Sequence, residues 1–427
     1  MIQWTKTKRI MRKIIYIYSI LMLCCSLTFA QQTPANKQTQ AITITGATIH
    51  VGNGTVIENG TVVFENGKIQ AVGNSSTATK GNVIDASGKH VYPGFIGANT
   101  SLGLVEVDAV NATNDQAEMG SMIPHVRSLI AYNAESKVVE SMRPNGILTA
   151  QVSPNGGRIS GTSSIMQLDA WNWEDAVLKT DDGIHLNWPS SFTRGRWWLG
   201  EPPGLKPNNN YGKQVNDIVN FVNESKAYLK GKRATKNLQF EAMKGLFDAS
   251  QKLYVHVDDE KGITDAVNFA VENGIKMVVV GGYQAHAVTG LLKSNNIPVL
   301  IDHTQSLPKM EDEDYDLPFK AAKLLVDQGV LVALQANGQM ERMNSRNLPF
   351  YAGTTVAYGL DKEEALKLIT SNTAKILGID DFCGTLETGK DATLFISEGN
   401  ALDMRTNQLI KAFIQGRDIS LETHHLI

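Results

Sequence analysis

The sequence predicts an α/β protein: a (β/α)8 TIM-type barrel with a small composite β-sandwich domain formed by both ends of the chain. Three observations predict it. Short β-branched runs broken by Asn53-Gly54, Asn59-Gly60 and Asn66-Gly67 open the folded part, and Asn-Gly between apolar runs is the strongest short hairpin signal. From Pro93 to Asp381 apolar runs alternate with helical stretches, which is the texture of parallel strands joined by crossover helices. After Leu377-Gly378 the chain returns to strand-like segments, Ala392 to Ile396 and Leu409 to Gln415, which places a second β unit behind the barrel.

Taken from the N-terminus, residues 1–30 read as a secretory signal. Lys6, Lys8, Arg9, Arg12 and Lys13 form a basic region, Ile14 to Leu27 an apolar stretch, and Thr28-Phe29-Ala30 a small-residue cleavage site. The expectation is an exported, periplasmic protein cleaved after Ala30. The competing readings are an uncleaved anchor and lipidation at Cys24 or Cys25. Residues 31–40, QQTPANKQTQ, are polar and low in complexity and read as a linker. Residues 41–92 together with 383–422 form the expected composite β domain, and 93–382 the barrel. Eight strands are predicted: Phe95 to Asn99, Leu148 to Val152, Ile165 to Leu168, Ile184 to Trp188, Leu253 to Val257, Lys276 to Val280, Pro298 to Ile301 and Val330 to Leu334. Helices are clearest at Ile263 to Glu272, Gln284 to Leu292 and Phe319 to Asp327. A further helix begins at Asp361, which can cap it while Glu364 reaches back.

Composition limits the function classes. The chain has 427 residues, 42% of them hydrophobic and 19% charged, enough for a large core and unlike a disordered or fibrous protein. A formal net charge of -3 gives no electrostatic reason to expect nucleic acid, and loss of the signal would leave the chain more acidic still. Cleavage after Ala30 would also remove Cys24 and Cys25. Cys383 would then be the single cysteine, unable to form an intramolecular disulfide and placed in a context that suits packing better than nucleophilic chemistry.

Several stretches resemble the amidohydrolase superfamily, and within it the imidazolonepropionase-like branch. They are Gly81 to Lys89 before Tyr92-Pro93-Gly94-Phe95-Ile96, Gly161-Thr162-Ser163 in the second βα region, Leu348-Pro349-Phe350, Gly359 to Leu366, and Gly384 to Ala392. The resemblance implies metal-dependent hydrolysis of C–N bonds, as in cyclic amides or dipeptide-like substrates, at the C-terminal mouth of the barrel, with zinc as the family metal. It also implies where the ligands should lie. Active relatives carry Pro-Gly-x-Ile-Asp-x-His-x-His at the first strand, where this chain has Asn99 and Ser101 in place of the two histidines. His256 keeps the fifth-strand histidine, Gly281 stands where the sixth strand should end in histidine, and Asn337 occupies the position of the catalytic aspartate. His185 is the nearest counterpart of the fourth-strand ligand.

Zinc binds imidazole, thiolate and carboxylate, whereas Asn99, Ser101 and Asn337 offer neutral oxygens, and an amide cannot serve as a general base. The expectation is therefore no metal or a weakly bound divalent ion, and a weakly active or non-catalytic member of the family. The alternative is an active hydrolase with a rearranged metal site around His256, using His185, Asp302 and His303. The segment Ser190 to Gly212 is too long for an ordinary connector. Its Arg194, Arg196, Trp197 and Trp198 are candidate substrate contacts for a carboxylate and an apolar side chain, or a subunit interface. Gly281-Gly282 reads as a close turn, and Glu311 to Asp316 as a solvated acidic loop. The partners implied are a small amide or peptide-like ligand, and either a homo-oligomer or pairing with an intact amidohydrolase paralogue.

Overall fold

The computed structural model describes residues 33–195, 197–201, 204–231, 235–302, 304–310, 312–336 and 342–423, together with Lys13 and Tyr16. The expected signal and its cleavage site at Ala30 lie outside the described residues.

Hairpins open the folded chain as the Asn-Gly pairs predict. Strands β1 (Ile42–His50), β2 (Val56–Glu65) and β3 (Lys68–Gly73) pair antiparallel in sequence, turning at Asn53-Gly54 and at Asn66-Gly67 with Asn66 in the left-handed region; Asn59-Gly60 is not a turn but lies inside β2, at a register shift opposite Ala47, with Asn59 also at positive φ. β4 (Asn82–Asp85) and β5 (His90–Pro93) then run parallel to β1. The barrel follows: β6 (Phe95–Thr100), β7 (Ile147–Val152), β8 (Ile159–Gln167) and β9 (Val177–Asn187). The chain next makes a small hairpin of β10 (Phe192–Arg194) and β11 (Leu205–Pro207). It returns to the barrel with β12 (Lys252–Val257), β13 (Met277–Gly281), β14 (Val299–Ile301) and β15 (Val332–Leu334). Finally β16 (Leu394–Ser397), β17 (Leu409–Ile414) and β18 (Arg417–Ile419) join the first sheet, β16 lying antiparallel to β5. Both ends of the chain thus build one β domain, around its own core of Ile44, Ile49, Val62, Phe64, Leu394 and Phe413.

All eight barrel strands fall where the apolar runs predict, and a bridge between Ala98 and Gln335 joins the first edge to the last. The strict βα alternation, however, needs correcting. β8 runs antiparallel to both β7 and β9, so Gly161, Thr162 and Ser163 lie inside the third strand rather than in a βα loop. The cause is local: β7 is followed by Ser153-Pro154-Asn155-Gly156-Gly157-Arg158, with Gly156 and Gly157 at positive φ, and this turn leaves no room for a crossover helix. The remaining neighbours from β9 through β15 are parallel.

Among the predicted helices, Glu260–Asn273 and Leu317–Asp327 are continuous, whereas the third breaks into a 3-10 turn at Ala285–Val288 and a short helix at Thr289–Ser294. Asp361 caps the helix Lys362–Lys367 by accepting from the Glu363 and Glu364 N–H groups. Glu364 does not reach back; its carboxylate instead holds Lys367.

The helix Ser371–Leu377 packs beneath the barrel, its Ala374, Ile376 and Leu377 joining Ile96, Tyr254, Val278 and Leu300 in the interior core. Lys179 and Lys252 from β9 and β12 satisfy the carbonyls at its C-terminal end, where cations complement the helix dipole. Burial, and then the charge of Lys179, bring the Lys252 ammonium down to about 8. Cys383 lies in the same core, its thiol pushed up to about 12 by burial, which agrees with a packing role.

The stretch read as a linker is held in place. Ala35 donates its N–H to Asp169, and the Gln38 amide bridges the Phe64 carbonyl and the Gly67 N–H. Asp169 is the centre of a buried ion network. It takes Arg143 from the barrel at 3.1 Å and Arg417 from β18 at 3.2 Å, so one carboxylate links the N-terminal segment, the barrel and the last strand.

Candidate functional site at the barrel mouth

A cavity of about 510 Å3 opens at the end of the barrel where the parallel strands terminate, the end at which this architecture places its chemistry. Asn99 from β6, His256 from β12, Gly281 from β13, and Asp302 and Gln335 after β14 and β15 all line it. Strand register brings them together: His256 lies beside Asn187 on one side and Val280 on the other.

His185 and His256 meet directly, Nδ1 of the first 2.9 Å from Nε2 of the second. His185 is fully buried and stacks on Tyr254 at 4.9 Å between ring centres; its Nε2 has no partner. Desolvation makes both imidazoles poor bases. His256 falls to about 4 even though Asp258 and Asp302 pull it upward, and burial, then the neighbouring His256, hold His185 well below its ordinary value.

Beneath this pair lies a polar layer that sequence reasoning missed. Asp182 is buried and accepts from Gln151 Nε2, the Tyr254 hydroxyl and the Ser163 hydroxyl, each at 2.8 Å. Burial raises its carboxyl pKa, and those three donors oppose the rise. The other oxygen-bearing end of Gln151 accepts the backbone N–H of Asn99, fixing Asn99 at φ 49°. Asparagine tolerates this left-handed conformation better than most residues.

Of the residues singled out from the sequence, the structure gathers Asn99, His185, His256, Gly281 and Arg194 at or beside the cavity. Ser101 is buried but does not line it, and Trp198 is 65% exposed away from its lining. Asn337, His303, Arg196 and the Trp197 side chain lie outside the described residues. The hairpin of β10 and β11 does roof the mouth through Phe192, Arg194 and Leu205, as the length of the segment suggested.

The acidic loop contributes more than solvated charge. Glu313 accepts from the Tyr283 hydroxyl and from the Lys309 and Met310 N–H groups, and Lys309 Nζ pairs with Asp258 at 2.7 Å. The spacing Tyr283-x-x…Glu313 carries no sequence signal, because it joins loops from two different strands.

Gly281 at φ 90° and Gly282 at φ 61° form the close turn expected of them. A Cβ at Gly281 would stand 2.6 Å from Asp258 Oδ1. Gly281→His, the change that would supply the family's sixth-strand ligand, is therefore expected to destabilise the protein by about 1–3 kcal/mol through backbone strain and displacement of Asp258. Urea unfolding of the two proteins measures it; equal midpoints would mean that this turn can be rebuilt at no cost.

The architecture is a TIM-type (β/α)8 barrel with a cavity at this mouth and a β domain built from both chain ends. Residues 215–419 match the amidohydrolase family. An amidohydrolase from Thermotoga maritima MSB8 superposes with a TM-score of 0.77 at 23% identity, over 89% of this chain and 99% of that one. A putative prolidase from Bifidobacterium longum gives 0.55 at 17% identity over 91% and 97%. A zinc-bound adenosine deaminase from Xanthomonas campestris gives 0.53 at 14% over 93% and 96%. At these identities the likeness establishes the fold. A 5'-deoxyadenosine deaminase from Methanococcoides burtonii is 48% identical over 48 residues, and the match spans 11% of each chain. The protein has the fold of these amidohydrolase-superfamily structures, and the family match covers residues 215–419, just under half of the chain.

That family implies a divalent metal at the mouth. A zinc site takes three or four protein ligands drawn from imidazole, thiolate and carboxylate. Among the described residues no three such groups converge, and the two imidazoles that approach each other are joined by a hydrogen bond. The described donor set does not fit a resident zinc ion.

Proposed function

We propose that this is an exported, periplasmic amidohydrolase-fold protein whose mouth cavity binds a small amide or peptide-like ligand, with weak hydrolytic activity or none. The observation that carries the reading is the His185–His256 hydrogen bond, which ties one nitrogen of each ring to the other and leaves two imidazoles where a catalytic zinc needs three ligands. Neutral Asn99 at the first strand and Gly281 at the sixth support it, since neither supplies a metal-binding side chain. A binding role also suits the lining, where Trp188, Phe192 and Leu205 give apolar wall and a few polar groups give direction. Assembly as a homo-oligomer, or with an intact paralogue that supplies catalysis, belongs to the same proposal.

One observation favours a second reading. His185, His256 and Asp302 occupy the same mouth, so a rearranged metal site around His256 would need few additional donors. Metal content after equilibration with zinc and removal of excess separates the two. The first reading expects well under one ion per chain in a folded protein. About one or two firmly held ions, lost together with amide hydrolysis in His256→Ala, would establish the second.

A further inference from the structure

The mouth cavity is polar at one end and apolar at the other. Its floor is formed by the barrel strand ends, where Asn99, His256 and Gln335 present amide and imidazole groups. Asn99 and Gln335 are buried and bonded to each other, so the floor is a fixed polar surface. The roof comes from the segment after β9, with Trp188, Pro189, Phe192 and Leu205 in the lining, and Met310 joins them from the loop after β14. Arg194 ties that loop to the hairpin by donating to the Lys309 carbonyl at 3.1 Å.

The hairpin itself is short of packing. β10 and β11 have three residues each, pair only with each other and join neither large sheet. Residues i and i+2 of a strand share a face, and Leu205 stands opposite Arg194, so Phe192, Arg194 and Leu205 lie together on the side that lines the cavity. Phe192 is nevertheless 43% exposed and Leu205 38%, and neither belongs to a hydrophobic core cluster among the described residues. Beyond the lining, Leu199 in the turn between the two strands is 61% exposed, and Leu307 on the tied loop 85%. A two-stranded hairpin is marginal in water without an apolar partner, and an apolar rim at a cavity is surface that a ligand can cover.

We propose that the ligand is an amphiphile, with a small amide head on the polar floor and a hydrocarbon tail that runs beneath β10 and β11 and out past Leu199 and Leu307. The proposal rests on the ligand-binding reading above and adds the chemical class of the ligand. The floor sets the orientation of the head, and each methylene withdrawn from water against Phe192 and Leu205 adds affinity. The tail also supplies the apolar partner that the hairpin lacks, so binding orders these two strands.

Calorimetric titration of the purified protein with butyramide, hexanamide and octanamide tests it. Affinity is expected to rise about threefold per added methylene, which is about tenfold from each amide to the next. Hydrogen exchange in β10 and β11 is expected to slow when octanamide is bound. The double variant Phe192→Ser with Leu205→Ser alters two exposed side chains and is expected to remove most of the gain with chain length. Equal affinity for the three amides would overturn the tail while leaving the ligand-binding reading in place. A gain that survives intact in the double variant would overturn its assignment to the hairpin. Self-association that competes with octanamide, measured by sedimentation, would give the apolar rim to a second copy of the chain instead. Binding of none of the amides would overturn both the tail and the reading it rests on.

Discussion

Asp169→Leu is expected to cost about 3–5 kcal/mol of folding stability, because it removes the buried carboxylate that both the Arg143 and the Arg417 guanidinium groups bond. Asp169 is 2% exposed, with the Arg143 side chain at 3% and Arg417 at 12%. Burial already draws the Arg143 guanidinium downward against the pull of Asp169 and Glu140. Replacing Asp169 alone also leaves the Ala35 N–H without its acceptor, so the N-terminal segment should loosen together with β18. Breaking such a pair is costly in a way that replacing it is not. The double variant Asp169→Leu with Arg143→Met should therefore recover part of the loss, leaving only Arg417, which retains Gln167 and the Asp169 carbonyl. Urea midpoints for wild type, both single variants and the double variant give the coupling; simple additivity would mean that the network contributes nothing as a unit.

Acid is expected to weaken the protein by about 3 kcal/mol through His256 between pH 6.5 and about 4, and the lowered His185 acts in the same direction. The sign follows from which state holds the proton. In the unfolded chain a histidine binds it as pH falls through the ordinary value of 6.5, whereas in the folded protein His256 waits until about 4 and His185 is likewise held well below its ordinary value. The unfolded state thus carries more protons throughout that range, and stability falls as pH falls. Above pH 6.5 neither ring contributes a slope. His256→Gln should flatten the dependence by about one proton even though it weakens the fold at neutral pH by stranding His185. An unaltered slope in that variant would show that carboxylates, and not this pair, govern acid stability.

The elements legible in the sequence were those whose signal is local. Asn-Gly turns placed the first hairpins, β-branched runs placed all eight barrel strands, and Asp361 marked its helix start. Direction was not legible for β8, since an apolar run reads the same from either end. The signal existed nonetheless in Asn155-Gly156, the same dipeptide that identified the earlier turns. At the mouth, His256 and Asn99 could be found by their place in a strand-end motif. Gln151, Asp182 and Gln335 could not, because their meeting depends on strand register and on the left-handed turn at Asn99. Polar residues inside a barrel look like ordinary interruptions of an apolar strand until their partners are known.

The reversed third strand has a bearing on how the chain folds. A parallel neighbour must wait for a crossover to be traversed, whereas Ile147–Val152, Ile159–Gln167 and Val177–Asn187 meet through connections short enough to close early. This meander brings Gln151, Ser163 and Asp182 side by side with only Tyr254 still to arrive from a distant part of the chain. The barrel therefore contains a locally encoded seed, and the buried carboxylate at its centre is solvated by neighbours in sequence before the slow, long-range closure of β6 against the far edge is complete.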